Sequence, residues 1–141
     1  MISVNRILIV SHSTLAEGFY KSEKLLVGNS MGLKYINAYV DETDWTPQAE
    51  AFFENFDESD TYIILTDIFG GSVNQKMAAL KQKFNFILIT GINLPLLLAL
   101  VLAPSQLSKD ECERLIDEAR QEIRLVEPAQ ESNIDEQDFL D

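Results

Sequence analysis

Residues 61–75, TYIILTDIFGGSVNQ, restrict the fold more than any other stretch of the chain. Tyr62, Ile63, Ile64, Leu65 and Thr66 run on without polar alternation, the pattern of a strand covered on both faces in a parallel sheet. Asp67 follows at once, then the Gly70-Gly71 pair for a tight turn, and Ser72-Val73-Asn74-Gln75 reads as a helix start. A carboxylate therefore sits at the carboxyl end of a strand, where open α/β sheets carry their chemistry. Residues 6–13 repeat the arrangement, with Arg6-Ile7-Leu8-Ile9-Val10-Ser11 leading into His12, the only histidine.

The remaining elements follow from periodicity and stop signals. A helix over 15–27 carries Leu15, Phe19, Ser22 and Leu26, widened by Ala16, Tyr20 and Leu25, and Gly28-Asn29 ends it. The mixed polarity of 34–40, KYINAYV, predicts a second strand at or near an edge. Thr46-Pro47 opens a helix, with Thr46 as cap, that carries Ala49, Phe52, Phe53 and Phe56 on one side. After the third strand and the helix over 72–81 come a fourth strand over 84–90 and a helix over 94–102. This last helix is apolar on nearly every side, so its stripe divides between core and a subunit interface, and a second subunit against one face explains it more easily. Ser108 with Glu111 predicts a capping box for a final helix that buries Cys112, Leu115, Ile116 and Ala119. Residues 123–126, IRLV, fit either the end of that helix or a short extra strand. The order βαβαβαβα specifies an α/β fold: a doubly wound, mostly parallel open sheet, strand order 2-1-3-4, with helices on both faces and a short antiparallel C-terminal strand as an option.

Charge and cysteine usage narrow the function classes. Eleven basic against 23 acidic residues give a formal net charge of -12, which argues against nucleic acid or an anionic membrane as partner. Cys112 is the sole cysteine, so no internal disulfide can form and a reducing, cytoplasmic setting is expected. The start, MISVNRILIV, reads as a first strand and not as a signal peptide. The run 92–103 is interrupted by Asn93 and Pro95 and is too short to span a bilayer.

In the order 2-1-3-4 the ends of strands 1 and 3 are neighbours, so His12 and Asp67 should meet at the switch point of the sheet. An imidazole that donates from one nitrogen to a carboxylate has its tautomer fixed, and the other nitrogen keeps a lone pair for attack on phosphorus. Main-chain N–H groups near Ser13, Thr14, Gly71 and Ser72 could receive phosphoryl oxygens at two helix starts, with three hydroxyls adding donors. Phe69 and Asn93 are candidates for lining the same pocket, Asn93 equally as a helix cap. The plain alternatives are a hydrogen-bonded boundary histidine and a turn-forming aspartate. A receiver-like site with Asp67 as phosphate acceptor would want an acidic Mg²⁺ cluster where Ser11-His12-Ser13 stands. No Gly-x-Gly-x-x-Gly is present for a dinucleotide, and no ligand cluster for a metal; neither metal nor cofactor is expected.

ILIVSHSTLAEGF, LTDIFGGSVNQ and ITGINLPLLL, in this order and spacing, resemble the IIA component of the mannose/fructose/sorbose class of the bacterial sugar phosphotransferase system. The resemblance extends over residues 6–126. It implies a cytoplasmic phosphotransferase component that takes a phosphoryl group from the histidine-phosphorylated carrier protein onto His12. The group then passes to the IIB component, which phosphorylates a sugar entering through the membrane IIC/IID components. By the same match Asp67 orients His12, and Ser72 contacts phosphate. A homodimer that exchanges a short C-terminal strand is also implied, which would suit residues 123–126. Residues 1–127 would form the IIA-type phosphocarrier domain, and 128–141 an acidic, mobile tail that the family pattern does not explain. The chain departs from that pattern at Ser13, where glycine is usual, and at Val73, where proline is common. A catalytically silent regulatory or scaffold protein of the same fold is the competing implication, and a blocked His12 would mark it.

Overall fold

Alternate residues along the apolar strands face opposite layers, and this parity organises the protein. The computed structural model describes residues 4–28 and 30–128. In chain order they form β1 (Asn5–His12), α1 (Leu15–Leu26), β2 (Leu33–Ala38), α2 (Thr46–Ala51), β3 (Thr61–Thr66), α3 (Ser72–Leu80), β4 (Ile87–Thr90), α4 (Leu94–Leu102) and α5 (Lys109–Arg120). The four strands are parallel in the order β2-β1-β3-β4, as the sequence predicts. Ile7, Ile9, Ile63, Leu65 and Ile89 share a core with α1, α4 and α5. Leu8, Val10, Ile36, Tyr62 and Ile64 face the opposite layer, made by α2 and α3. His12 continues the parity of Leu8 and Val10 and so belongs to the α3 side of the sheet.

Several local expectations need correction. The second strand stops at Ala38 instead of Val40, because Tyr39 turns to φ 65° and leaves the sheet. Trp45, not Thr46, is the N-cap of α2, and Asp44 Oδ1 accepts from the Thr46 N–H at 3.0 Å. That helix ends at Ala51, so Phe52 and Phe53 reach the core from the turn that follows, and Phe56 stays 39% exposed against Tyr62. The fourth strand begins only at Ile87; Phe84 instead stacks on Phe53 at 4.2 Å, in the other layer. In α1, Leu15, Leu25 and Leu26 are exposed whereas Glu23 is fully buried and accepts from the Ser30 hydroxyl. Its inward face thus uses a hydrogen-bonded carboxylate where hydrophobicity alone pointed to leucines.

The apolar helix α4 lies in one layer with α1 and α5, which takes up Leu96, Leu97 and Leu100 within the chain and leaves Leu102 outside. The predicted capping box of α5 is present, with Ser108 and Glu111 each bonding the other's main chain at 3.1 Å. Residues 123–126 belong to no helix or strand of this chain, and Ile123, Leu125 and Val126 are exposed. The expected acidic tail falls almost wholly on 129–141, outside the described residues. Among the described residues no helix is long and apolar enough to cross a membrane, and no cluster of His, Cys, Asp or Glu could hold a metal ion.

Candidate active site

Register brings the two predicted residues together. Val10 is level with Thr66 across the β1–β3 ladder, so His12 and Asp67 both lie just beyond it at the carboxyl ends of adjacent strands. The His12 main-chain N–H donates to Asp67 Oδ2 at 2.8 Å, and the ring Nδ1 lies 2.9 Å from the same oxygen. An ionised carboxylate only accepts, so Nδ1 carries the hydrogen, and in the neutral ring Nε2 keeps its lone pair. The Asp67 side chain is 6% exposed and that of His12 40%, an anchored base beneath a reachable ring. Burial works to raise the Asp67 pKa, but the hydrogen bonds from the His12 main chain and ring outweigh it and hold the carboxyl below its usual range.

The turn after Asp67 is shaped to this ring. Gly70 has φ 79°, and a Cβ on Gly71 would stand 3.3 Å from His12 Cε1. Ser72, an exposed residue, opens α3, and as in any helix the first N–H groups have no partner within α3. Asn74 is buried and takes a 3.0 Å bond from the Thr66 hydroxyl, which ties the start of α3 to the end of β3. The other expected helix start is differently occupied. The Ser13 N–H donates to Ala38 O at 2.8 Å, that of Ala16 to Ser11 Oγ at 2.6 Å and that of Glu17 to Asn37 Oδ1 at 3.2 Å. Thr14 is the N-cap of α1 without a side-chain bond to it. Asn93 caps α4 by accepting from the Leu96 N–H at 2.9 Å, and it donates to Ala119 O at the same distance. Phe69 is 82% exposed on the loop before Gly70.

Tyr39, which lies against His12, and the two residues packed on it escape the sequence reading. Tyr39 stacks on the imidazole, ring centres 5.5 Å apart and planes at 29°. Trp45 meets Tyr39 edge-on, and Lys76 Nζ lies 5.5 Å from the Tyr39 ring centre and 5.3 Å from that of Trp45. The available signal was topological: strand 2 neighbours strand 1, so the residue after strand 2 must lie beside the one that ends strand 1.

A family model for the fructose IIA component of the phosphotransferase system matches residues 6–117. The chain belongs to this family of IIA components. Among solved structures, this IIA chain is 32% identical to a protein of Klebsiella pneumoniae described as a permease of the phosphoenolpyruvate-dependent sugar phosphotransferase system. That alignment covers 88% of this chain and 91% of the other, with a TM-score of 0.70. A IIA protein associated with the fucose utilization operon of Streptococcus pneumoniae is 25% identical over 93% and 98% of the two chains, TM-score 0.69. The EIIA component from Streptococcus agalactiae, 21% identical over 86% and 96%, has a TM-score of 0.74 and shares the fold. No curated protein matches the sequence. Membership of the family carries a phosphoryl-carrier role in sugar phosphotransfer, and with it phosphotransferase activity.

The family's usual glycine after the histidine has a physical reason here. Ser13 adopts φ 56°, a left-handed conformation that costs an L-residue about 1–2 kcal/mol. Glycine removes that cost but loses roughly 0.4–1 kcal/mol through its freer unfolded chain. Ser13→Gly is therefore expected to stabilise the fold by about 0.5–1 kcal/mol net. A higher urea midpoint at unchanged m-value checks this.

Proposed function

We propose that His12 Nε2 is the atom that carries the phosphoryl group, taken from the histidine-phosphorylated carrier protein and passed to the IIB component. The single observation that supports this most is the double use of Asp67 Oδ2, which holds both the main chain and the Nδ1 of His12. With Nδ1 committed, Nε2 attacks the donor's phosphorus. An N–P bond forms at His12 as the donor's N–P bond breaks, and the electron pair returns to the donor imidazole. Asp67 offsets the positive charge that develops on the ring. The start of α3, with the Ser72 hydroxyl, and the hydroxyls of Ser13 and Thr14 receive the phosphoryl oxygens. One N–P bond replaces another, so the equilibrium lies near unity and the protein's contribution is positioning and charge stabilisation.

The ring's 40% exposure speaks against a silent descendant with a blocked histidine, and the enclosed Asp67 carboxylate makes a poor phosphate acceptor. Leu15, Tyr39, Val40, Ile68 and Phe69 are exposed around the site and offer an apolar rim to a partner protein. Dimerisation through residues 123–126 would cover Ile123, Leu125 and Val126, which are exposed among the described residues. Links to IIC/IID are indirect, through IIB, and the setting is cytoplasmic.

The test is incorporation of phosphate from phosphoenolpyruvate in the presence of the two general phosphotransfer proteins. Acid-labile, base-stable label on the His12 peptide is expected. No label on a folded protein, or base-labile label on Asp67, would overturn the reading.

Gly71 gives a finer check. Its φ of -71° suits alanine, so Gly71→Ala should leave stability within about 1 kcal/mol. The added Cβ nevertheless presses on His12 Cε1 and displaces the ring by a few tenths of an ångström. Acceptance is expected to slow by about 10-fold, given that a full 1 Å misplacement costs about 10². Rapid-quench measurement beside a melting curve separates the two effects.

A further inference from the structure

The backbone of Tyr39 is at φ 65°, where a bulky aromatic residue is an outlier and glycine or asparagine would be the ordinary choice. Strain of this kind collects where the side chain has work that the relaxed conformation would not allow. Here the strained backbone delivers the ring onto His12. Tyr39 follows Ala38, the residue level with His12 in the β1–β2 ladder. Its ring stacks on the imidazole, meets Trp45 edge-on at 5.9 Å, and has Lys76 Nζ 5.5 Å from its centre. Trp45 is buried ahead of α2 and Lys76 projects from α3, so elements on both sides hold the phenol ring in place.

We propose that Tyr39 is a positioning residue for His12, its ring forming one wall of the imidazole. An imidazole held only by its Nδ1 bond can tilt about that bond. A flat wall against its face removes the tilt and leaves Nε2 aimed in one direction. The Ser72 hydroxyl lowers the pKa of the phenol, with burial opposing and Lys76 assisting. The inference rests on the phosphocarrier reading for its consequence and on packing for its geometry.

Three variants of the full chain test it: Tyr39→Gly, Tyr39→Ala and Tyr39→Phe. Glycine accepts the left-handed backbone and alanine does not, so the glycine variant should melt higher than the alanine variant. Both should accept phosphate at least about 10-fold more slowly than the unaltered protein, by the same amount despite their different stabilities. Tyr39→Phe, which restores the wall, should recover most of the rate. With one histidine in the chain, the ring-proton resonances of His12 can be followed directly. They should move in the glycine and alanine variants and largely return with phenylalanine. A wild-type rate in Tyr39→Gly, a rate that follows melting temperature across the series, or unmoved His12 resonances would each overturn the proposal. Should the unaltered chain take no phosphate, the carrier reading fails by itself, and the resonances still decide whether Tyr39 sets the ring.

Discussion

Replacing His12 by alanine is expected to abolish phosphoryl acceptance, a loss of at least the full measurable range, while the protein stays folded. No other imidazole exists in the chain to substitute for it. The fold should survive because the ring is partly exposed and the main-chain N–H of residue 12 keeps its bond to Asp67 Oδ2. Asp67 Oδ1 likewise retains the Ile68 N–H at 3.1 Å. What disappears is the ring's stacking on Tyr39 and one hydrogen bond, together on the order of 1–2 kcal/mol. Label incorporation and a circular dichroism melt, taken on the same preparation, check both halves. Normal incorporation into His12→Ala would remove His12 from the mechanism altogether.

Asp67 gives the second large effect, and two substitutions divide its roles. Asparagine keeps an acceptor oxygen that can hold the main-chain N–H and Nδ1, but it removes the negative charge facing the ring. Transfer is expected to slow by about 10²-fold or more, with the melting temperature little changed. Alanine removes these two bonds and the one from the Ile68 N–H, strands the partly buried N–H of His12, and should add a stability loss of about 1–3 kcal/mol to the kinetic one. The pH response has a definite sign. Because the folded carboxyl titrates below the unfolded one, its stabilisation is present above the ordinary carboxylate range and fades as pH falls through the lowered value. Asp67→Asn should therefore flatten that acidic part of the stability curve. Stopped-flow transfer rates and urea titrations at several pH values provide the readings, and an unchanged transfer rate in Asp67→Asn would count against the pair.

The meeting of His12 and Asp67 was legible because it depends on topology alone. Unbroken apolar runs specify parallel strands, right-handed crossovers order them, and the residues that end strands 1 and 3 must then be neighbours. Ser108 and Glu111 were equally plain, since a capping box is a local motif whose parts do not need the rest of the fold. Tyr39 was hidden for the opposite reason. YINAYV has the residues of a strand, and nothing local announces that the chain leaves the sheet after Ala38 with a tyrosine in a glycine-like conformation. Phe52 and Phe53 reach the core after the helix has ended, and Glu23 is buried where leucines seemed the better choice. In each case a tertiary contact overrides the periodic pattern: Phe53 with Phe84, Glu23 with Ser30, Tyr39 with His12.

The surroundings of the imidazole also set the traffic through it. Tyr39 covers one face and Asp67 occupies Nδ1, which leaves Nε2 as the one ring nitrogen open to a partner. On the carrier reading, donor and recipient must use that one berth in turn. The protein then works as a turnstile, with each partner leaving before the other enters. Surplus of either unphosphorylated partner would clog the passage, so throughput depends on the balance between the two and not only on the amount of each.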